Sequence, residues 1–202
     1  MKINILYTLF LIATLITLWG CTKDDDTELP KYNALLFSED FSDATDNTIL
    51  NTTGWTNFAE TGTKVWSEQS FNGNGYAEFS SFGSGQAVNV GWLISPPVNM
   101  DLHEGEKLIF QSAQNFLRSK DNSLELLIST DFDGTNITAA SWEPIPVITP
   151  TPDTERYLFI GSGVIDLSSY TGRLYFAFKV RGSGTNSNLT GTYQIDNIRL
   201  FY

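Results

Sequence analysis

Acidic and amide side chains stand at both ends of the predicted domain, where their chemistry suits a hard cation. Glu39 and Asp40 lie in the first apolar segment after residue 33, and Asp196 and Asn197 lie in the last one. If the first and last strands lie side by side, Glu39, Asp40 and Asp196 converge. We then expect them to bind Ca²⁺, with backbone carbonyls completing its shell. The alternative is that Asp196 only caps a bulge or turn by accepting backbone hydrogen bonds.

A second segment rich in oxygen ligands spans residues 131–136 and has the sequence DFDGTN. Carboxylates stand at alternate positions, 131 and 133, and a glycine follows them. It lacks the bidentate glutamate that closes an EF-hand loop. We interpret it as a plain turn between two strands. The tract that holds Asp40, Asp43 and Asp46 is oxygen-rich in the same way and is interpreted as a solvated loop.

The sequence offers little for catalysis. Its single histidine, His103, lies in a polar segment that we predict to be an exposed loop, and no nucleophile elbow, phosphate loop or His-Glu-x-x-His motif is present. We therefore expect no enzymatic activity. A carboxylate pair for glycoside hydrolysis is left as a distant third hypothesis, because the 23 acidic residues offer many pairs.

Composition favours one β-rich globular domain without nucleic acid as a partner. The chain has 202 residues, of which 41% are hydrophobic, 13% aromatic and only 17% charged. This usage is typical of strands joined by tight turns rather than of disordered or coiled-coil chains. The formal net charge of −11 repels phosphate backbones.

The N-terminus has the pattern of a lipoprotein signal peptide. Lys2 is followed by an apolar stretch from Ile3 to Trp19 and then by Gly20 and Cys21. This ending resembles the lipobox of bacterial lipoproteins, so we predict a signal peptide over residues 1–20 and a lipid anchor on Cys21. The alternative is an uncleaved membrane anchor, since about 20 uncharged residues span a bilayer.

Residues 21–32 are polar and acidic, which predicts a flexible tether before the domain. A lysine followed by several acidic residues behind the lipidated cysteine also resembles the surface-export signal of lipoproteins from Bacteroides-type bacteria. We therefore predict a protein that is lipid-anchored in the outer membrane and exposed at the cell surface.

From residue 33 to residue 202 the hydrophobic period is two, and about ten strands are predicted. Leu174, Phe176, Phe178 and Val180 alternate with their neighbours as a half-buried strand requires. Glycine and asparagine turns recur between the strands, and no window predicts a long amphipathic helix. The pattern indicates an all-β, antiparallel β-sandwich. Trp92, within an apolar run, is assigned to the core, and the prolines at 96 and 97 are expected to end its strand.

Six short segments, in this order and spacing, resemble the choice-of-anchor J or cleaved-adhesin domain. They are FSEDF at 37–41, WLISPP at 92–97, STDFDG at 129–134, IDLSSYTG at 165–172, YFAFK at 175–179 and YQIDNIRL at 193–200. The resemblance implies a jelly roll similar to MAM and carbohydrate-binding modules, and a structural calcium near Glu39 and Asp196. It also implies a non-catalytic module of surface or secreted proteins.

Two functions remain open at this stage. The first is a surface module for adhesion or carbohydrate binding that recognises a glycan, or a host or matrix protein, with Trp55, Phe58 and Tyr175 as candidate aromatic contacts. Each of these three has the alternative of packing against a neighbouring strand. The second is an accessory or structural lipoprotein that binds another envelope protein. A large exposed apolar patch would favour the second function, and an aromatic cleft with amide and carboxylate groups would favour the first.

Overall fold

The computed structural model describes residues 33–202, and within them it has fourteen strands and no helix. The strands are β1 (Leu35–Glu39), β2 (Thr48–Ile49), β3 (Thr56–Thr61), β4 (Ser67–Phe71), β5 (Asn74–Ser80), β6 (Asn89–Ile94), β7 (Val98–Asn99), β8 (Lys107–Asn115), β9 (Ser123–Ser129), β10 (Glu143–Ile145), β11 (Ile160–Gly161), β12 (Ile165–Asp166), β13 (Arg173–Gly182) and β14 (Thr192–Phe201).

The strands form two antiparallel sheets. Sheet A has eight strands in the order β11-β8-β14-β5-β4-β2, with β1 paired to β14 and β12 paired to β8. Sheet B has six strands in the order β10-β9-β13-β6-β3, with β7 paired to β13. Apart from the consecutive pairs β4–β5 and β9–β10, neighbours in each sheet are distant in sequence, as in a sandwich built by crossovers between sheets. The predicted all-β, antiparallel β-sandwich of the jelly-roll type is confirmed.

The main core lies between the two sheets. Leu174, Phe176 and Phe178 of β13 face inward, as their alternation predicts, and are fully buried. Phe110 of sheet A meets Phe178 of sheet B edge to face, with ring centroids 4.9 Å apart. Burying an aromatic side chain of this size contributes about 1.5–3 kcal/mol to folding, so the inward faces hold the sandwich together.

A second hydrophobic cluster lies on the outer face of sheet B. Trp92 of β6 and Tyr175 of β13 point away from the main core and are covered by residues 130–142, which place Phe132 and Trp142 over them. The prediction that Trp92 is buried is confirmed, but it lies in this second cluster. Successive strand residues face opposite sides, so Leu93 takes the place in the main core.

Two strands differ from what the sequence pattern predicts. The pattern predicts a strand over 157–161, but only Ile160–Gly161 form one, β11, because Tyr157 has a φ of 62° and leaves the extended conformation. The pattern does not predict the edge strand β3, because its sequence TNFAET mixes Thr and Phe with Asn, Ala and Glu, which are depleted in strands. β6 ends at Ile94, before the two prolines, as expected.

The predicted signal peptide (1–20), the lipidation of Cys21 and most of the tether (21–32) fall on residues that lie outside the described part of the chain. Residues 34–202 form one compact unit with its own hydrophobic core. In this part of the chain, no helix is long and apolar enough to cross a membrane.

Candidate functional site

Asp196 lies where two strands separate along one edge of β14. β5 pairs with Thr192–Ile195, and β1 pairs with residues 198–201 further along the same strand. Between them the register of β14 against β8 shifts, and Asn197 has a φ of 52°. A Cβ atom on Gly75 would lie 1.9 Å from the Phe41 carbonyl oxygen, so glycine is needed for the chain after β1 to approach β5. The first and last strands, β1 and β14, lie side by side, as expected.

The buried carboxylate of Asp196 accepts hydrogen bonds at this bulge. The Asn197 amide N–H donates to Oδ1 at 2.6 Å, and the Asn74 side-chain amide donates to Oδ2 at 3.0 Å. Burial raises the pKa of Asp196, and the nearby charge of Asp40 raises it further. These bonds are the ones that the capping alternative requires. Within residues 33–202 the one salt bridge joins Lys179 to Glu60, so no basic side chain there forms an ion pair with Asp196.

The carboxylates of Glu39 and Asp40 accept hydrogen bonds from nearby residues. One Glu39 oxygen accepts from the Phe41 amide at 2.8 Å, and the other accepts from the Trp55 indole at 3.3 Å. Asp40 is exposed, and hydrogen bonds from Ser42 hold the pKa of its carboxyl below the ordinary value. No group of three Asp, Glu, His or Cys side chains is arranged to hold a metal anywhere in residues 33–202. Asp196 thus fits a cation better than Glu39 does, and the calcium site stays a prediction.

The three aromatic residues proposed from the sequence as ligand contacts are not brought together in an open site. Trp55 is half-buried and packs against Phe37 and Phe176, with centroids 5.9 Å from each. Tyr175 is only 6% exposed and lies under Phe132. Phe58 is half-buried against the same outer cluster. All three follow the packing alternative.

The two remaining candidate groups have structural partners. Asp133 accepts hydrogen bonds from the Thr135 and Asn136 amides, each 2.8 Å long, which is the turn predicted for residues 131–136. His103 is half-buried rather than fully exposed, because its ring stacks on that of Tyr202 at a centroid distance of 3.8 Å. Neither arrangement supplies a nucleophile or base in a cleft.

An open cavity of about 650 Å³ lies on the outer face of sheet A, and we name it the sheet A groove. Its floor comes from the outward residues of three neighbouring strands, and one wall comes from the segment before β11. The floor side chains are Tyr76, Glu78, Asn115, Thr192 and Gln194, the wall side chains are Tyr157 and Phe159, and Phe71 and Asn74 complete the lining.

Strand alternation sets the floor of the sheet A groove. Ala77 and Phe79 face the core, so Tyr76 and Glu78 of β5 point outward. The Gln194 amide of β14 donates to Glu78 at 2.9 Å, which fixes both polar groups side by side. Burial raises the pKa of Glu78 above its ordinary value. The groove thus combines apolar ring faces with an oriented amide and carboxylate.

A second cavity of about 520 Å³ adjoins the sheet A groove, and we name it the Phe116 hollow. The two cavities share Asn115 and Thr192. The hollow is otherwise lined by Ser80, Phe82, Phe116, Arg118 and small or hydroxylated residues of the loop 184–191. Because they share these residues, we treat the two cavities as one recess.

Asn115 stands at the junction with an unused hydrogen-bond acceptor. Its side-chain amide donates to the Tyr157 hydroxyl. Its Oδ1 atom is buried and has no hydrogen-bond partner, and the residue as a whole is 8% exposed. A buried unpaired acceptor costs about 1–3 kcal/mol.

The two aromatic residues beside Asn115 are held in a strained backbone. Phe116 has a φ of 59° and Tyr157 a φ of 62°, the left-handed region that bulky side chains rarely adopt. They are 51% and 58% exposed, so burial does little to offset the cost of about 1–2 kcal/mol per residue. Such strain concentrates at functional sites.

The exposed aromatic side chains cluster at this recess. Of five such side chains in the described residues, four line the groove or the hollow: Phe71, Phe82, Phe116 and Tyr157, the fifth being Tyr202. Sequence reasoning missed these residues. The outward position of Tyr76 in an alternating strand was a usable signal, whereas the exposure of Phe116 and Tyr157 depends on how the loops fold.

The chain matches the model of one protein family, described as Domain of unknown function (DUF5017), over residues 58–201. The chain belongs to this family. No curated protein matches the chain. The DUF5017 description assigns no activity, so function has to be argued from the chemistry of the recess.

Two solved structures illustrate the similar folds. The chain is similar to the K1 cleaved adhesin domain of Lys-gingipain from Porphyromonas gingivalis W83, at 22% identity and a TM-score of 0.48, covering 81% of this chain and 96% of that one. It is also similar to the CBM22-2 xylan-binding domain of Paenibacillus barcinonensis Xyn10C, at 12% identity and a TM-score of 0.48, covering 82% and 98% of the two chains.

Proposed function

We propose that this protein is a non-catalytic cell-surface module that binds an oligosaccharide in the sheet A groove and the Phe116 hollow. The observation that carries the proposal is the clustering of four of the five exposed aromatic side chains of residues 33–202 around this single recess. Exposed aromatic rings offer large, rigid contact area at low entropic cost.

The polar groups of the recess suit a sugar. One face of a pyranose ring is apolar and stacks on an aromatic ring, while its hydroxyls donate and accept hydrogen bonds. Tyr157 and Phe159 provide ring faces at the wall, and Glu78 and Gln194 provide an acceptor and an oriented amide on the floor. A hydroxyl-rich ligand can therefore stack on the rings and form hydrogen bonds with Glu78 and Gln194.

The second function, an accessory lipoprotein that docks on another envelope protein, calls for a flat apolar patch. The recess instead has convergent amide, carboxylate and hydroxyl groups between its aromatic rings. Interfaces between proteins are typically apolar at their centre and polar at the rim. The arrangement therefore favours a glycan over a protein partner.

The test compares how tightly the Tyr157→Ala and Tyr202→Ala variants bind to a panel of soluble glycans. Both positions are exposed aromatics, but only Tyr157 lines the recess. We expect Tyr157→Ala to weaken binding by at least about 30-fold, the loss of a hot-spot contact, and Tyr202→Ala to leave binding unchanged. Equal effects, or no glycan retained by the unmodified protein, would refute the proposal. Release of reducing ends from the glycan would show that the protein is an enzyme.

We further propose that the protein reaches the cell surface as a lipoprotein, with residues 1–20 removed and Cys21 lipidated in the outer membrane. The sequence pattern around Cys21 supports this location. In a Cys21→Ala variant the protein should leave the membrane fraction, and mass spectrometry of the unmodified protein should find acyl chains on Cys21. Membrane retention of the variant would contradict the anchor.

The calcium site is proposed at the junction of β1, β5 and β14, with Asp196 as its main carboxylate and Glu39 and Asp40 beside it. The buried charge of Asp196, which no basic residue of 33–202 pairs with, supports this proposal. In thermal melts, Ca²⁺ should stabilise the protein and EDTA should reverse the shift, following mass action. Asp196→Ala should abolish this dependence and Asp133→Ala should not. A melting temperature insensitive to Ca²⁺ would leave Asp196 as a cap of the bulge alone.

A further inference from the structure

We propose that the Phe116 hollow binds an acidic sugar residue through Arg118, while the adjoining sheet A groove takes an uncharged residue of the same oligosaccharide. This inference rests on the proposed glycan binding and adds the chemical class of the ligand. It follows from the opposite charges that line the two halves of the recess.

Arg118 is the one ionisable side chain that lines the Phe116 hollow. It is exposed and takes no part in the single salt bridge found between residues 33 and 202, so its guanidinium is available to a ligand. A guanidinium presents a planar fork of donors that matches a carboxylate in a bidentate pair. Ser80, Thr185 and Thr190 line the same hollow, and their hydroxyl oxygens can accept hydrogen bonds from a sugar.

A second cation lies at the edge of the same hollow. The guanidinium of Arg156 is 4.3 Å from the centroid of the Phe116 ring. The chain has only 12 Lys and Arg residues against 23 Asp and Glu. Two arginines around one exposed phenylalanine are therefore a local positive area on an acidic protein, and the hollow attracts an anion that the rest of the surface repels.

The sheet A groove has the opposite character. Its carboxylate, Glu78, is partly buried on the floor and is held in place by Gln194. A ligand carboxylate here would face a like charge in a poorly solvated site, which is unfavourable. The hydroxyls of a neutral sugar instead donate to Glu78. The order of the ligand is thus fixed: a neutral residue over Glu78 and an acidic one at Arg118.

The experiment uses pairs of oligosaccharides that differ only in charge. The pairs are a hyaluronan tetrasaccharide and a glucuronic-acid-branched xylotetraose, each with its carboxyl-reduced form. Binding of the purified protein to each member is measured by titration calorimetry at low and high salt. The variants are Arg118→Met, which keeps the unbranched stem but removes the guanidinium, Arg118→Lys, and Lys120→Met as a nearby control outside the recess.

We expect at least one acidic member to bind about tenfold more tightly than its reduced form, and high salt to diminish the difference. Arg118→Met should remove this preference without weakening the neutral member, Arg118→Lys should restore part of it, and Lys120→Met should leave it intact. Equal binding within every pair, or equal losses for both members with Arg118→Met, would overturn the inference and leave the proposed function standing. Binding to none of these compounds, together with no retention on the wider set of glycans, would refute both.

Discussion

The outer faces of the two sheets use aromatic residues in opposite ways. On sheet B, residues 130–142 fold across the strands, and Phe132 and Trp142 bury Trp92 and Tyr175. On sheet A, no loop buries the outward residues Tyr76 and Glu78 of β5, which stay partly exposed at the floor of the recess beside the buried Asn115, Thr192 and Gln194. The difference shows that an outward aromatic is buried as a structural residue where a loop covers it and stays accessible where none does.

The two faces also differ in how well their polar groups and backbone are satisfied. The Trp92 indole donates to Glu60 at 2.7 Å, and that of Trp142 to the Ile137 carbonyl at 3.0 Å. On sheet A, Asn115 keeps an unpaired acceptor, and two exposed aromatics sit at positive φ. The covered face thus stabilises the fold, while the open face carries costs that a bound ligand can offset.

The largest effect is expected from removing the cover of sheet B. Phe132→Ala deletes a side chain that is 3% exposed and leaves a cavity above Tyr175, so the free energy of unfolding should fall by about 3–5 kcal/mol. The matched change on the open face, Phe82→Ala, removes a side chain that is 73% exposed and should cost less than about 0.5 kcal/mol. Urea unfolding measures both. Similar losses would show that the two faces are packed alike.

A smaller change in the free energy of unfolding, of opposite sign, is expected at Phe116, where the backbone is strained. Phe116→Gly relieves a positive φ, and after the entropic cost of glycine the free energy of unfolding should rise by up to about 1 kcal/mol. Phe82 has no positive φ, so Phe82→Gly should lower stability slightly. Glycan affinity should fall in the Phe116 variant even as its stability rises. A destabilised Phe116→Gly protein would mean that Phe116 is held by packing rather than kept for binding.

The smallest effect concerns the pH dependence of stability. Burial raises the pKa of Glu78 above 4.5, so the folded state holds this proton more tightly than the unfolded state does. The resulting stabilisation is complete below pH 4.5 and is lost as the pH rises through the native pKa. Glu78→Gln should therefore gain stability relative to the unmodified protein as the pH rises from about 4 to 7.

The opposite sign is expected at an exposed turn on the other side of the molecule. Hydrogen bonds from Asn136 and Thr135 lower the pKa of Asp133 below 3.8, so its stabilisation is present above that pH and is lost as the pH falls. Asp133→Asn should thus approach the stability of the unmodified protein only in acid. Thermal melts between pH 3 and pH 7 compare the two variants. Parallel curves for both would contradict the assigned environments.

Much of the fold follows from local pattern. The alternation of Leu174, Phe176 and Phe178 predicts the inward face of β13, and the two prolines after Ser95 predict the end of β6. The position of Asp196 and Asn197 in the last strand, opposite the end of the first, also follows from the sequence once a sandwich is assumed. These features depend on residues close together in the chain, where steric and hydrogen-bonding rules act directly.

The recess on sheet A was decided by the tertiary structure. Asn115 and Tyr157 are 42 positions apart and Glu78 and Gln194 are 116 apart, yet each pair is joined by a hydrogen bond. Alternation gives every strand an inward and an outward face, and it places Tyr175 and Tyr76 alike on outward faces. Which of these faces a loop then covers depends on long-range packing. For that reason the sequence by itself determined the sandwich and its alternating faces, and only the folded chain separated the buried Tyr175 from the open groove at Tyr76.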